Sequence, residues 1–304
     1  MIELRDVRVS YDDALPILKG VSLSIGDGEF VAFVGTNGAG KSTTMRLMNG
    51  LLLPETGAVR IDGVPTSDLR TSELARRVGF LFQNPDRQIC CNTVRDELLF
   101  GFTALGQAGP EAEERVRAIA EEFGLRLDDD PFLLNRGARQ LLALASVVVT
   151  APPVVVLDEP TTGLDYRECT AVMEHIRALH ARGTTVIMVC HDMEIVADYA
   201  PRTVVMSDGR VIADGPTFDV LRDRAVLERA SLIPPQVVDI ALGLQLMRPE
   251  LANAPIAAAN TVDELAAAVL AQAGVGGAAA PGQPVGSAAM AGAQAHADVQ
   301  TEGR

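Results

Sequence analysis

Three short apolar runs set the organisation of the chain. Residues 29–34 (Glu-Phe-Val-Ala-Phe-Val) precede a stretch of helical character that extends from Thr43 to Leu53. Residues 154–159 (Val-Val-Val-Leu-Asp-Glu) and 184–190 (Thr-Thr-Val-Ile-Met-Val-Cys) are rich in β-branched residues. Such runs are typical of strands that are buried in a parallel sheet. The pattern predicts an α/β core in which the polar residues that end these strands lie at one sheet edge, where open α/β sheets bind their ligands.

The remaining segments predict two further parts. Residues 2–9 alternate in part between apolar and polar, and residues 57–63 form a short strand between glycines. The first part of the chain is therefore expected to include antiparallel β structure. Residues from about 92 to 149 are helix-rich, with a polar-faced helix over 111–123, and are expected to form a helical subdomain inserted into the core. Strand and helix alternation returns through residues 210–215.

Composition argues against several classes of protein. The 304 residues carry a net charge of −14, which disfavours a nucleic-acid surface because affinity there depends on Lys and Arg that neutralise phosphates. The chain does not begin with the pattern of a signal peptide. Residues 141–157 are the most apolar stretch, but two prolines interrupt it, so a buried helix and a core strand explain it better than a membrane span. Cys90, Cys91, Cys169 and Cys190 lack metal-site or disulfide spacing and are interpreted as separate thiols.

The most specific motif is a glycine-rich loop after the first apolar run. Residues 35–43 read Gly-Thr-Asn-Gly-Ala-Gly-Lys-Ser-Thr, which is the spacing of a P-loop in its strand–loop–helix setting. The glycines permit a tight turn, so that backbone N–H groups converge on phosphate oxygens at a helix N-terminus. Lys41 is predicted to reach the β- and γ-phosphates, and Ser42 to hold Mg²⁺. A glycine-rich turn without this role would share only part of the pattern. The predicted phosphate-binding residues are Gly35, Thr36, Asn37, Gly38, Ala39, Gly40, Lys41, Ser42 and Thr43.

Polar residues at the ends of the other two strands complete a predicted hydrolytic site. Asp158 is predicted to help hold Mg²⁺, and Glu159 to act as the general base that polarises the attacking water. His191 can hydrogen-bond a γ-phosphate or orient the water, because its ring both donates and accepts. Acidic turn residues after a strand and a structural histidine are common alternatives. Together with Lys41 and Ser42, the three residues favour a nucleoside triphosphatase with Lys41, Glu159 and His191 in catalytic roles.

Residues 1–225 resemble the ATP-binding cassette (ABC) ATPases. The resemblance implies an α/β fold of the P-loop NTPase class (ABC cassette), with a mixed sheet core, an antiparallel β subdomain and an inserted α-helical subdomain. It also implies ATP and Mg²⁺ as cofactors. Tyr11 matches the aromatic residue that stacks on adenine, and Gln83 matches the glutamine that contacts Mg²⁺ and senses the transport domain. Asp165 matches the acidic loop that contacts the partner subunit. A strand-end tyrosine, a loop glutamine and a helix N-cap aspartate are the plainer interpretations.

The signature sequence of that family is altered here. Residues 134–140 read Leu-Asn-Arg-Gly-Ala-Arg-Gln, where the family usually has Leu-Ser-Gly-Gly-Gln. Gly137 is kept, and Asn135 is predicted to act as an N-cap and to offer an amide donor to a γ-phosphate. The serine hydroxyl is missing, and so is a polar side chain at Ala138. Because the signature of one subunit completes the site on the other subunit's P-loop in this family, the change concerns the partner's site.

Two segments resemble the ATPases of energy-coupling factor importers, which take up vitamins and transition-metal ions. Residues 82–88 (Phe-Gln-Asn-Pro-Asp-Arg-Gln), followed by 93–101, are similar to their Q-loop region. Residues 231–244, which begin Ser-Leu-Ile-Pro-Pro-Gln, are similar to the Pro-Pro element after the cassette. In this comparison Gln88 matches a glutamine of the helix beside the Q-loop. An ordinary Asn-Pro turn and a generic helix are the alternatives.

The predicted domains are an ABC ATPase domain at 1–230, a C-terminal helical extension at 231–273 and a disordered Ala/Gly-rich tail at 274–304. A capping box is predicted over 261–264.

The function expected from the resemblance is ATP hydrolysis that energises a membrane importer of the energy-coupling factor type. The expected partners are a second ABC ATPase subunit in a head-to-tail homo- or heterodimer and an integral membrane subunit, with no nucleic acid. The location implied is the cytoplasmic face of the cell membrane. The alternatives are a catalytically weak regulatory subunit and a soluble ABC ATPase without a transporter.

Overall fold

The computed structural model describes residues 1–10 and 16–272. Its strands are β1 (Ile2–Ser10), β2 (Pro16–Ile25), β3 (Phe30–Val34), β4 (Thr56–Ile61), β5 (Val64–Pro65), β6 (Val78–Leu81), β7 (Val154–Asp158), β8 (Thr185–Val189), β9 (Arg202–Ser207) and β10 (Arg210–Pro216). Its helices are α1 (Lys41–Met48), α2 (Thr71–Ala75), α3 (Val94–Ala104), α4 (Pro110–Glu122), α5 (Arg136–Val148), α6 (Tyr166–Ala181), α7 (Met193–Tyr199), α8 (Thr217–Arg222), α9 (Arg224–Ala230), α10 (Gln236–Met247), α11 (Pro255–Ala258) and α12 (Val262–Gln272). None of the helices in these two ranges combines the length and apolar character that a membrane span requires. Tyr11 and the predicted tail, residues 274–304, lie outside the described residues.

A six-stranded mixed sheet forms the centre of the fold, with the strand order β10-β9-β3-β8-β7-β6. β3 pairs in parallel with β8 and β9, β7 pairs in parallel with β6 and β8, and β10 runs antiparallel to β9. All residues of β3, β7 and β8 are buried, which explains their continuous apolar sequences. The three apolar runs therefore end at one edge of one sheet, and the predicted mixed sheet core is confirmed.

A second, antiparallel sheet has the order β2-β1-β4-β5. β1 pairs with β2 on one side and with β4 on the other. The predicted antiparallel β structure near the beginning of the chain is therefore confirmed. The strand predicted over 57–63 ends at Ile61, because Asp62 and Gly63 take positive φ values of 52° and 80° in the turn that leads into β5.

Apolar side chains cover both faces of the central sheet. Along β3 the side chains alternate: Phe30, Ala32 and Val34 belong to the core shared with the helices, whereas Val31 and Phe33 face the core shared with the antiparallel sheet. Phe33 is fully buried, which stabilises the fold by about 1.5–3 kcal/mol relative to an exposed side chain. This double cover holds the end of β3 in place, and the P-loop begins at that end.

Three helices, α3 to α5, lie between β6 and β7 in the chain. The polar-faced helix predicted over 111–123 is α4, and the apolar stretch 141–157 consists of the buried part of α5 followed by β7. The helix predicted from Thr43 to Leu53 begins earlier, at Lys41, and ends at Met48. It ends there because Gly50 takes a positive φ of 71°, a conformation that breaks the helix.

The helices α10 to α12 follow the α/β core and share a small apolar cluster, which includes Val237, Leu251, Ile256 and Leu265. At the start of α12, the hydroxyl of Thr261 accepts a hydrogen bond from the N–H of Glu264 at 3.2 Å. The carboxylate of Glu264 accepts the N–H of Asn260 instead of that of Thr261. The predicted capping box is therefore present in a form shifted by one residue.

Candidate active site

The loop between β3 and α1 has a backbone that only glycine can supply at several positions. Gly35, Gly38 and Gly40 have φ values of 136°, 82° and 98°, which other residues rarely adopt. A Cβ on Gly35 would lie 2.0 Å from the carbonyl oxygen of Met206 on β9. The glycines of the motif are therefore required both by the turn and by the close approach of β9.

Lys41, the first residue of α1, points into this loop. Its Nζ donates hydrogen bonds to the carbonyl oxygens of Gly35 at 2.7 Å and Thr36 at 2.9 Å. The side chain is buried, and burial lowers the pKa of Lys41, while the carboxylates of Glu159 and Asp158 act in the opposite direction. An ammonium at the start of a helix that follows a glycine-rich loop is suited to bind phosphate oxygens.

Asp158 ends β7 beside the beginning of α1. Its Oδ1 accepts a hydrogen bond from the Ser42 hydroxyl at 3.3 Å. Burial raises the pKa of Asp158, and the hydrogen bond from Ser42 partly offsets this effect. A hydroxyl and a carboxylate are the hard oxygen ligands that Mg²⁺ prefers when it also binds substrate phosphates. The residues present therefore fit a magnesium ion, which Ser42 and Asp158 would hold beside the phosphates of a bound nucleotide.

Glu159 is the residue on which the other polar groups converge. Its Oε1 lies 2.7 Å from His191 Nε2, and its Oε2 accepts hydrogen bonds from Gln83 Nε2 at 2.7 Å and from Thr162 Oγ1 at 2.9 Å. Each carboxylate oxygen has about two lone pairs. Oε2 is saturated, whereas Oε1 keeps one lone pair next to His191. This lone pair is the position at which Glu159 can accept a proton from water.

The backbone of Glu159 is unusual for a residue with a side chain. Its φ is 52°, in the left-handed region that is uncommon for residues other than glycine. The conformation turns the chain sharply after β7, while the N–H of Glu159 still donates to the carbonyl oxygen of Val189 on β8. Such a conformation costs about 1–3 kcal/mol and is concentrated at functional sites. Here it places the carboxylate between the ends of β6 and β8.

These groups surround a common cleft of about 410 Å³. The residues that line it are Ile17, Asn37, Gly38, Gly40, Lys41, Ser42, Thr43, Glu159 and His191. Only 15% of the Glu159 side chain is exposed, against 41% for His191, so the histidine forms the outer wall. Six of the nine predicted P-loop residues are thus brought together with Glu159 and His191 around one space. Asp158 reaches it through its hydrogen bond with Ser42. The structure places Gln83 against Glu159, and its role towards Mg²⁺ stays a prediction.

The altered signature residues lie away from this cleft, at the start of α5. Asn135 is the N-cap of the helix, as predicted, and its side-chain oxygen accepts the N–H of Ala138 at 2.8 Å. Gly137 is buried and packs against Glu168 of α6. A Cβ at this position would lie only 2.4 Å from Glu168 Oε1. Asp165 caps α6 in a reciprocal capping box with Glu168. Neither Asn135, Gly137 nor Asp165 lines the cleft, so their predicted roles towards a partner subunit stay predictions.

Sequence reasoning did not identify Thr162 or describe the contacts of Gln88. Thr162 follows Glu159 by three residues, so a turn after β7 was the only signal that could have pointed to it. Gln88 Oε1 accepts the N–H of Phe82, and its Nε2 donates to the carbonyl oxygen of Ala143 at 2.9 Å and to Ser146 Oγ at 3.2 Å. Gln88 therefore fixes the segment that carries Gln83 to α5.

A second cleft, of about 750 Å³, continues from the P-loop to the segment before α10. Asn37 and His191 border it on one side, and Ile233 and Pro234 on the other. The N–H of Gln236 donates to Glu194 Oε1 at 2.8 Å, which fixes this segment to α7. The Pro-Pro element noted in the sequence therefore lies beside the P-loop and not at a distance from it.

Comparison with known proteins gives a consistent result. The family model described as "ABC transporter" matches residues 18–162. The energy-coupling factor transporter ATP-binding protein EcfA of Methanothermobacter thermautotrophicus is 39% identical over 250 residues, which cover 81% of this chain and 80% of that protein. A putative ABC transporter ATP-binding protein of Pyrococcus furiosus is 40% identical over 248 residues, which cover 81% of this chain and 94% of that protein. A putative ABC transporter ATP-binding protein of Caldanaerobacter subterraneus is 40% identical, but the chain spans only 43% of its length.

Solved structures of the same fold are also similar. The structure of cbiO1 from Clostridium perfringens, part of the ABC transporter complex cbiONQ, is 30% identical with a TM-score of 0.68, and covers 82% of this chain and 96% of that one. A dimeric ATP-binding cassette in a post-hydrolysis state, bound to ADP and Pi, is 28% identical with a TM-score of 0.65, and covers 71% of this chain and 99% of that one. Both similarities extend over nearly the whole of the compared structures.

Proposed function

This chain belongs to the ATP-binding proteins of ABC transporters, and we propose that it is the ATP-hydrolysing subunit that energises a membrane importer of the energy-coupling factor type. The observation that carries the proposal is the position of Glu159, which is bonded to Gln83 and His191 beside the cleft formed by the P-loop. Glu159, its partner His191 and the phosphate-binding loop surround a single space. ATP is the nucleotide of the family.

The chemistry follows from these positions. Lys41 and the backbone N–H groups of residues 35–43 bind the β- and γ-phosphates. Ser42 and Asp158 would hold Mg²⁺, which supplies charge neutralisation on the phosphate oxygens when it is bound. Glu159 accepts a proton from the attacking water, whose oxygen forms the new bond to the γ-phosphorus. The bond from that phosphorus to the bridging oxygen breaks, and ADP leaves with the electron pair.

His191 and Gln83 act on Glu159 and not on the phosphorus directly. The Nε2–H of His191 donates to Oε1 when Glu159 is ionised, because a carboxylate only accepts hydrogen bonds. The ring then directs the remaining Oε1 lone pair towards the cleft. Gln83 holds Oε2 from the segment between β6 and α3. A shift of that segment would move the base, which gives a route by which a transport subunit at Gln83 controls hydrolysis.

The partners are proposed from the family. Cassettes of this family form dimers, and the compared post-hydrolysis cassette is dimeric. We place Asn135, Gly137 and Asp165 at a head-to-tail interface, where they would complete the site of the second subunit. Tyr11 is proposed to stack on adenine. The membrane subunit would bind near Gln83 and would keep this chain at the cytoplasmic face of the membrane.

The energy-coupling factor type is supported by the similarity to EcfA and to cbiO1, and by the two segments 82–101 and 231–244. The cargo proposed is a vitamin or a transition-metal ion. The domain limits proposed are 1–230 for the ATPase domain, with the helical subdomain at about 92–149, and 231–273 for the helical extension.

A reconstituted system tests the proposal. The chain would be co-expressed with the polytopic membrane protein and any second cassette encoded beside it, purified as a complex and inserted into vesicles. We expect ATP-dependent uptake of a vitamin or of Ni²⁺ or Co²⁺, and its loss with Lys41→Ala. If the chain hydrolyses ATP but does not co-purify with any membrane subunit, that result would contradict the transport function. Uptake of a cargo from another class would contradict only the proposed type of importer.

One observation favours a second candidate, a subunit of a heterodimer in which the two ATP sites turn over at different rates. The signature carries Asn135 and Ala138, so it offers its partner's site an amide and no hydroxyl. In a heterodimer, replacement of the partner's catalytic glutamate by glutamine distinguishes the two functions. Complete loss of ATPase activity would mean that the Lys41 site contributes little, whereas about half of the activity would remain if both sites turn over independently.

A further inference from the structure

Cys90, Cys91 and Glu97 lie together in the segment between Gln88 and α3. The two sulfur atoms and a carboxylate oxygen of Glu97 are all within 4.8 Å of one another. Among the residues that the structure describes, this is the group of three or more potential metal ligands whose ligand atoms all lie within that distance of one another. No sequence motif pointed to this group, because adjacent cysteines have no recognised metal-site spacing. The fold creates the group by folding the first turn of α3 back onto the two cysteines.

Glu97 is the unusual member of this group. It is only 3% exposed, and among the residues that the structure describes no lysine, arginine or histidine forms an ion pair with it. Its Oε2 accepts hydrogen bonds from the N–H groups of Cys90 and Cys91, both at 2.9 Å. Buried carboxylates are usually paired with a cation or coordinate a metal. Two backbone hydrogen bonds orient this carboxylate but do not neutralise its charge.

We propose that Cys90, Cys91 and Glu97 form a binding site for a thiophilic divalent cation of the Zn²⁺ type. Thiolate ligands select such ions over Mg²⁺, which prefers oxygen. Two sulfurs and one carboxylate oxygen leave one position of a tetrahedral ion for water. Binding releases the two thiol protons to solvent, so that the two charges of the cation balance the two thiolates, and the Glu97 carboxylate gains a direct bond to the ion. The proposal does not depend on the identity of the transported cargo.

The exposure of the two cysteines agrees with this role. Cys90 is exposed, which gives the ion a path from solvent. Cys91 is partly buried, and its N–H donates to Glu97 Oε2.

The position of the site links it to the catalytic base. Cys90 follows Gln88 by two residues, and Gln88 fixes the Gln83 segment to α5 through Ala143 and Ser146. A cation bound by Cys90, Cys91 and Glu97 ties the end of this segment to α3. Protection of residues 88–93 from amide hydrogen exchange is the structural signature that binding should produce.

The test uses the full chain without an affinity tag, kept reduced, and Zn²⁺ as the titrant. We expect one tight site per chain, unaffected by excess Mg²⁺, and thiolate-to-metal charge-transfer absorption when Co²⁺ replaces Zn²⁺. Cys90→Ser and Cys91→Ser should each weaken binding at least about tenfold. Cys169→Ser, a cysteine outside the group, should leave binding unchanged. Glu97→Gln keeps an acceptor for the two N–H groups, so it tests the charge with less risk to the fold.

Two results would overturn the proposal. One is equal Zn²⁺ affinity in the parent protein and in the Cys90→Ser/Cys91→Ser double variant, with the charge-transfer band absent in both. The other is a Cys90–Cys91 disulfide that persists in reductant and takes up no Zn²⁺. Either result leaves the ATPase function untouched, because the double variant retains Lys41, Asp158, Glu159 and His191.

Discussion

His191 Nε2 lies 2.7 Å from Glu159 Oε1, although the two residues are far apart in the sequence and end different strands. The contact exists because β7 and β8 are parallel neighbours, paired from Val154 with Thr185 to Asp158 with Val189. Residues that follow the two strands must therefore meet at the same edge. The histidine restricts the carboxylate to the orientation in which one lone pair faces the cleft.

Replacement of His191 by alanine should lower kcat by about 100-fold, which is the effect of a misplacement of about 1 Å in a catalytic group. The KM for ATP should change little, since His191 contacts Glu159 and not the P-loop. Steady-state ATPase kinetics measure both constants. His180→Gln is the matched control, because His180 contacts the carbonyl oxygen of Gly28, which precedes β3, and does not line the cleft. Equal losses in the two variants would contradict a specific role for His191.

Replacement of Lys41 by alanine should raise the Kd for ATP by about 10–100-fold, because hydrogen bonds to charged groups contribute about 1.5–3 kcal/mol. Lys19 is the sequence's other lysine, and it pairs with Asp208 on the surface. Lys19→Ala therefore serves as the control and should bind ATP normally. Titration with a fluorescent ATP analogue compares the variants. Unchanged affinity in Lys41→Ala would remove the lysine from the binding site.

Replacement of Asp158 by asparagine should abolish Mg²⁺-dependent hydrolysis and raise the Tm of the nucleotide-free protein. Burial raises the pKa of Asp158, so its ionised form destabilises the fold at neutral pH. Each 1 kcal/mol gained corresponds to about 2–4 °C in Tm for a domain of this size.

The stability gained in Asp158→Asn should depend on pH. A raised carboxyl pKa means that the native state loses stability as the pH rises through that pKa. The Tm advantage of Asp158→Asn should therefore be full at neutral pH and should disappear below the ordinary aspartate value of 3.8. Calorimetry across this range measures it. A Tm advantage that grows towards acid pH would contradict the assignment.

Replacement of Gln88 by alanine should destabilise the protein by about 1 kcal/mol or more, because it removes three hydrogen bonds and leaves the buried Ala143 carbonyl without this donor. Amide exchange of residues 82–88 should become faster. Gln107→Ala, at an exposed position, is the control. If exchange in this segment were unchanged, Gln88 would not be what fixes the Gln83 segment to α5.

The sequence predicted the central sheet and most of the site because both depend on local patterns. The runs at β3, β7 and β8 are buried on both faces, which makes their apolar character continuous, and the P-loop glycines are required by the backbone itself. The convergence of Lys41, Glu159 and His191 followed from one rule, namely that parallel strands end at the same sheet edge.

The contacts that were missed depend on packing between segments that are distant in the chain. Gln88 reaches Ala143 and Ser146 only because α5 packs against the segment after β6, and no local pattern encodes that distance. The burial of Gly137 under Glu168 has the same origin. The interpretation of Cys90 and Cys91 as separate thiols did not take account of Glu97, which the first turn of α3 brings against them.

The measurement that tests the central claim most directly is the turnover of the full chain, in its purified complex, with Glu159→Gln. Glutamine preserves the size of the side chain and an acceptor for His191, but it cannot take a proton from water. We predict that ATP binding persists, that kcat falls by about 10²–10⁴-fold, and that a closed ATP-bound dimer accumulates on size-exclusion chromatography. ATP turnover at the parental rate would show that Glu159 is not the general base and would contradict the account.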